Sequence, residues 1–330
     1  MFFISNKLVA QVFTAQAATL LIATSALAQA YPNKPIKLIV PVAAGGGSDM
    51  IARQVAERLG RGLGQSIVVD NQSGGGGVIA TQATQRAAPD GYTLMQSYVA
   101  THATSPATRK LPYDVIKDFT PIGMIGGTPN VLVVPSTVPV NSFKEFVAYA
   151  KSNVGKISYG SAGQGSLTHL AMEQLKDAVG IFAVHVPYRG IAPAITDMLA
   201  GSTQAMMPGL AAATPHIKSG KLRPLAVTGK ARHPNFPEVP TLEELGLKGF
   251  DGVQWYGIVG PAKMPPDVVK RLHEELQKVI TLPEFKQRLA IEAVEPMPMS
   301  SEQFGAFMAA DLARYQRIVR ERKIDLGADN

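Results

Sequence analysis

Residues 157–169 read Ile-Ser-Tyr-Gly-Ser-Ala-Gly-Gln-Gly-Ser-Leu-Thr-His and run into the apolar and acidic stretch 170–175. Glycines 160, 163 and 165 alternate there with Ser161, Ser166 and Thr168. The spacing predicts a strand, a turn and a helix N-terminus, where unpaired N–H groups and the positive end of the helix dipole face an anion. Glycine lets a ligand oxygen approach those amides with no Cβ in between. No lysine stands in the turn, which favours a carboxylate held by dipoles over a polyphosphate held by charge.

The elements that must position this turn repeat along the chain. A β-branched strand at 36–42 ends in the glycine loop 43–49, where Ser48 or Asp49 is expected to cap a helix carrying Ile51, Ala52, Val55 and Leu59 at helical spacing. Asp49 is expected to organise that loop by accepting its backbone N–H groups. A second strand at 66–70 precedes glycines 74–77 and a helix at 78–87, and a turn at 89–91 opens a third strand at 92–97. Strand, glycine loop and helix in series indicate a helix-flanked, mostly parallel sheet, an α/β fold whose ligands sit outside the carboxyl ends of the strands. Loops 43–49, 71–77 and 97–101 share that edge, which brings Ser97 into the candidate site. Strand 131–135 crosses to a second lobe, in which the turn 160–169 and the segment His185 to Gly190 repeat the design and place Tyr188 and Arg189 at the crevice. The expected lobes are residues 29–129 with 252–330, and residues 130–251. Ser142 and Glu145 have capping-box spacing.

Composition narrows the class of protein. Lys7 followed by an uncharged apolar stretch at 8–28, closing on Ala26-Leu27-Ala28, reads as an export signal, 1–28, cleaved on delivery to the periplasm. The chain has 0 Cys, so it has neither disulfides nor thiolate metal sites. Its formal net charge of +7 comes from scattered cations with no basic stripe interleaved with aromatics, which excludes nucleic acid as a partner. The loop 45–49 lacks the lysine of a phosphate-binding P-loop, and Thr168 stands where a dinucleotide fingerprint needs its third glycine. No Gly-x-Ser-x-Gly occurs, His169 follows Ser166 too closely for a triad, and the 6 His show no metal-ligand spacing. Neither cofactor nor metal is expected, and a monomer is.

The ordered motifs Tyr31-Pro32-x-Lys34-Pro35-Ile36, the loop 41–49, Pro89-Asp90-Gly91-Tyr92-Thr93-Leu94, Leu111-Pro112-Tyr113-Asp114, the turn 159–170, His185-Val186-Pro187-Tyr188, Pro193-Ala194 and Val239-Pro240-Thr241 span the mature chain. Together they resemble the Bug-type periplasmic substrate-binding proteins of tripartite tricarboxylate transporters. The resemblance implies a two-lobed type II binding-protein fold closing over a small carboxylate in the inter-lobe cleft. It points to Val42, Ala43, Gly45, Gly46 and Asp49 on one wall and Ser161, Gly163, Gly165, Ser166 and His169 on the other. Two departures stand out: Val42 and Ala43 replace the family's usual proline or phenylalanine, and Pro208-Gly209 replaces an acidic or amide residue. Pro208, after Met206 and Met207, implies a ligand with a less polar far end, an aromatic or aliphatic mono- or dicarboxylate. The implied partners are membrane transporter subunits or a sensor. The competing readings are an exported hydrolase or isomerase using the same cleft, and a sensory receptor without transport.

Overall fold

The computed structural model describes residues 31–45, 47–250, 252–322 and 324. The expected export signal and Gly46 lie outside them. In β1 (Ile36–Val40) every residue but Lys37 is buried, and Lys37 reaches Asp70 at 3.6 Å. A near-continuous apolar strand of this kind needs cover on both faces. Ile36, Leu38 and Val40 pack on one side against α1 (Gly47–Leu63), while Ile39 on the other meets Ala80 of α2 (Val78–Gln85), which follows β2 (Ile67–Asn71). β3 (Thr93–Tyr98) continues through a wider π-type turn, Ala100–Thr104, into the short α3 (Ser105–Thr108).

The chain then enters β4 (Phe119–Pro129), and one residue later β5 (Val131–Pro135), which belongs to a different sheet. In that second sheet β5 joins β6 (Ser158–Ser161), β7 (Val184–Pro187), β8 (Ala205–Met206) and β9 (Leu222–Val227), in the order β7-β6-β8-β5-β9. α4 (Phe143–Ser152) and α5 (Leu167–Val179) cover one face through Phe146, Met172 and Leu175; α6 (Ile191–Leu199) and α7 (Leu210–Lys218) cover the other through Ile195, Met198 and Leu210. The chain returns in β10 (Val253–Pro261), and α8 (Pro266–Thr281), α9 (Pro283–Ile291), β11 (Glu295–Pro296) and α10 (Ser301–Arg322) complete the first unit. The first sheet has the order β11-β4-β10-β3-β1-β2.

Both sheets are mixed, which corrects the mostly parallel expectation. β1 runs parallel to β2 and β3, and β6 to β7 and β8, but β10 is antiparallel to β3 and β4, and β5 to β8 and β9. The reason is topological: a chain that leaves one lobe and comes back passes the crossing in opposite directions. Asn130 stands alone between β4 and β5. Its N–H donates to Thr228 Oγ1 (2.8 Å), its Nδ2 to the Met207 carbonyl (2.8 Å), and Thr228 Oγ1 in turn donates to the Gly252 carbonyl (2.7 Å) on the returning chain.

Local signals act as written. Ser142 Oγ accepts the Glu145 N–H (3.2 Å) and Glu145 Oε2 accepts the Asn141 N–H (2.8 Å), a reciprocal cap of about 1 kcal/mol. α1 begins at Gly47, so Ser48 and Asp49 lie inside its first turn instead of capping it. Trp255 is fully buried with its Nε1–H donating to Asp311 (2.8 Å), a packing role. Among the described residues no helix is long and apolar enough to cross a membrane.

Candidate functional site

Two glycine turns at the carboxyl ends of strands define the site, one from each sheet. After β1, the Asp49 carboxylate is only 2 % exposed and fully engaged. Its Oδ2 accepts from Gly45 N–H (2.9 Å) and Arg53 Nε (2.9 Å), and its Oδ1 from Asn71 Nδ2 (2.8 Å). Asn71 Nδ2 also reaches the Val42 carbonyl (3.1 Å), and Arg53 Nη2 donates to Asn71 Oδ1 (2.9 Å). Burial pushes the Asp49 pKa up, but the bonds from Arg53, Gly45 and Asn71 outweigh it and hold the carboxyl below its ordinary range. Asp49 is thus a brace for the loop rather than a surface for a ligand. Ala43 and Gly45 are exposed and Val42 is half-buried against the β1 core.

After β6, Ser166 caps α5 by accepting the His169 N–H (3.3 Å), and Gly163 O accepts the Ser166 N–H (3.1 Å). The amides read as open from the sequence are engaged within the turn: Ala162 N–H donates to Thr168 Oγ1 (2.8 Å), Gly163 N–H to Ser161 Oγ (3.1 Å) and Gly165 N–H to His169 Nδ1 (3.1 Å). The remaining first-turn amides are those of Leu167 and the buried Thr168, which helix geometry leaves without an i−4 acceptor, while the half-buried Ser166 hydroxyl lies 3.0 Å from Thr168 Oγ1. His169 is 3 % exposed and faces the turn, not open solvent. Ser161 is fully buried, with its hydroxyl 2.6 Å from His185 Nε2. A serine and an imidazole this close resemble a nucleophile and its base, but Ser161 is sealed from solvent and its oxygen also holds Gly163.

The structure gathers Ser161, Gly163, Gly165, Ser166 and His169 into one turn, with Tyr188 beside them: Tyr188 N–H donates to Ser161 O (3.1 Å) and its hydroxyl to Asp197 Oδ2 (2.9 Å). Arg189 is exposed at the rim. Ser97 and Pro208 are both buried. Ser97 is fully buried with an unpartnered hydroxyl, and the buried Pro208 gives its carbonyl to Val131 N–H (2.9 Å). The lobes meet at residues that the motifs do not mark. Gly165 has φ +69°, and a Cβ there would fall 2.8 Å from Thr108 Oγ1 of the first lobe, so only glycine permits this approach. Next to Thr108, the Arg109 guanidinium lies over Gly76, with Nη1 3.3 Å from the point a Cβ would occupy, and has no acidic partner among the described residues. Leu170 of α5 packs into the cluster of Trp255 and Phe304. No group of three His, Cys, Asp or Glu among the described residues suits a metal.

Two lobes of mixed sheet joined by paired crossings, with the second lobe's glycine turn seated on Thr108 of the first, have the architecture of a solute-binding receptor. The chain belongs to the tripartite tricarboxylate transporter family of receptors, whose model matches residues 51–324. It is similar to a UPF0065 protein from the gbd 5' region of Cupriavidus necator, at 37 % identity over 94 % of this chain and 95 % of that one, and to protein BugT of Bordetella pertussis, at 33 % over 92 % and 94 %. Among solved structures it resembles R. palustris Rpa4515 with adipate (TM-score 0.82, 32 % identity, 89 % of this chain and 99 % of that one). It also resembles periplasmic binding protein BugD (0.78, 33 %, 89 % and 99 %) and MatC from Rhodopseudomonas palustris with bound malate (0.78, 27 %, 88 % and 100 %). Members of the family are periplasmic solute-binding receptors, not enzymes, and this chain is a solute-binding receptor of that family.

Proposed function

We propose that the protein is exported to the periplasm with cleavage of residues 1–28, closes its lobes over a small organic carboxylate, and delivers it to the membrane subunits of a tripartite tricarboxylate-type transporter. The lobes in this reading are residues 29–129 with 252–330, and residues 130–251. The observation that carries it is the seam at Gly165 and Thr108, where the N-terminal turn of α5 meets the first lobe without a side chain between. A helix N-terminus at such a seam suits a carboxylate. Two similar receptors hold adipate and malate, both dicarboxylates. If Pro208 lines the far end of the cleft, with the buried Met206 and Met207 beside it, that end suits an apolar aliphatic or aromatic part of the ligand better than an ammonium. Ala43, Gly45, Gly46, Ser166, Tyr188 and Arg189 are the proposed crevice residues, with Val42, Asp49, Ser161, Gly163 and His169 behind them.

The test is a thermal-shift screen of the mature protein against mono-, di- and tricarboxylates and amino acids. Ligand present at about a hundredfold its Kd raises stability by about 2.7 kcal/mol. Adipate or a related aliphatic or aromatic acid is expected to raise the melting temperature, and aspartate and glutamate are not. Stabilisation by amino acids alone overturns the proposal.

A further inference from the structure

We infer that His169 and His185 are positioning residues: two stacked imidazoles that hold the Ser161 to Gly165 turn in its ligand-ready form and release it when they take up protons. The rings lie 3.9 Å apart at an interplanar angle of 6°, and Tyr159 continues the stack at 4.9 Å from His185. Strand register builds the stack, because Tyr159 of β6 pairs with His185 of β7 while His169 comes down from α5.

Each ring controls one amide of the turn. A backbone N–H can only donate, so the 3.1 Å bond from Gly165 requires a bare Nδ1 on His169 and places that ring's single proton on Nε2, which faces Glu173 Oε1 at 4.0 Å. A second proton on His169 would point at the Gly165 N–H and break the bond. His185 acts through Ser161. The Ser161 oxygen accepts from Gly163 N–H (3.1 Å), and its own proton has two acceptors within reach, His185 Nε2 at 2.6 Å and the Gly163 carbonyl at 3.2 Å. The shorter contact keeps the hydroxyl turned to His185. Protonated His185 donates at Nε2 instead and drives the hydroxyl proton toward Gly163 O, re-forming the turn around a different bond.

The groups that face the rings are His169, Glu173 and Lys176 from α5 and Tyr159 from β6. Glu173 also accepts from Lys176 Nζ (2.6 Å) and from the Tyr159 hydroxyl, and the Lys176 cation beside it opposes an imidazolium. Burial pushes the His185 pKa down to about 4, charge on His169 and Lys176 acting with it and Glu173 against it. Two like charges in parallel rings in contact repel strongly, so the pair resists holding two protons at once.

The consequence for binding rests on the receptor reading above, so the test reads the turn and the ligand separately. Ring nitrogen spectra of histidine-labelled protein are expected to show His169 as the Nε2–H tautomer at neutral pH. The Gly163 amide peak is expected to move as His185 takes up its proton, near about 4, and the Gly165 amide peak to move as His169 takes up its own. With adipate as probe, His169→Ala should lose roughly tenfold in affinity, the worth of one hydrogen bond. His169→Asn, whose Oδ1 stands where Nδ1 stood, should bind like wild type yet lose the acid response of Gly165. An Nδ1–H tautomer at His169, amides that stay still while the rings charge, or equal binding by the Ala and Asn variants overturns the inference. If the Ala variant fails to fold, the Asn variant and the ring spectra decide. Failure of wild type to bind adipate counts against the dicarboxylate reading, and the spectra alone then judge the imidazole pair.

Discussion

The loop after β1 and the turn after β6 hold glycine backbone in similar places by opposite means. The first is braced by charge: Asp49 takes Gly45, Arg53 and Asn71 at once. The second is braced by neutral rings, with His169 on Gly165 and His185 on Ser161. An ionic brace works at ordinary pH and fails only when its carboxyl protonates. A ring brace fails earlier on acidification, because it depends on groups staying uncharged. The two walls of one crevice therefore differ in their sensitivity to the medium.

The largest blow to this contrast is Asp49→Ala. It leaves Gly45 N–H and Asn71 without their acceptor and is expected to cost about 3 kcal/mol in urea unfolding, the half-exposed Arg53 contributing little to that figure. A loss well below about 1 kcal/mol would mean the loop holds itself. Gly165→Ala comes next. It forces a side chain into a left-handed conformation and against Thr108, at about 1–2 kcal/mol, and should weaken adipate binding more than stability; Thr108→Ala should recover part of the binding.

Acid titration sharpens the contrast directly. His185 is held at about 4 against an ordinary 6.5, so the unfolded chain binds the proton first, and stability falls as pH drops from about 6.5 to about 4. Asp49 is held below 3.8, so its contribution is present above that value and is lost only as pH falls further. Amide exchange followed with pH should show Gly163, held through His185 and Ser161, loosening before Gly45, and the reverse order would dissolve the comparison. The smallest effect belongs to Arg189→Ala at the exposed rim: stability within about 0.5 kcal/mol, and adipate affinity reduced by no more than about fivefold.

Much of this was legible in the chain. β-branched runs, glycine turns and the Ser142 cap placed most elements within a few residues, since those signals are local. Strand direction was not, because an apolar run reads alike in either direction, and β10 and β5 turned both sheets mixed. The turn at Ser161 to His169 was readable as a helix start, but its amides proved to be occupied, which depends on where side chains fold back. His185 reaches the turn only through pairing with β6, and Thr108 and Arg109 only through the approach of the lobes. Nothing in residues 105–110 marks them locally.

The crossing at Asn130 bears on how the two halves can turn. Asn130 is bonded to Thr228 and Met207, and Thr228 also holds Gly252, so outgoing and returning chains share one bolt. Two crossings pinned together in this way define a line about which the halves can turn, and resist twist across it. If the lobes open and close as proposed, leverage favours the far rim: a slight rotation at Asn130 would become a wider sweep at Gly165 and Thr108.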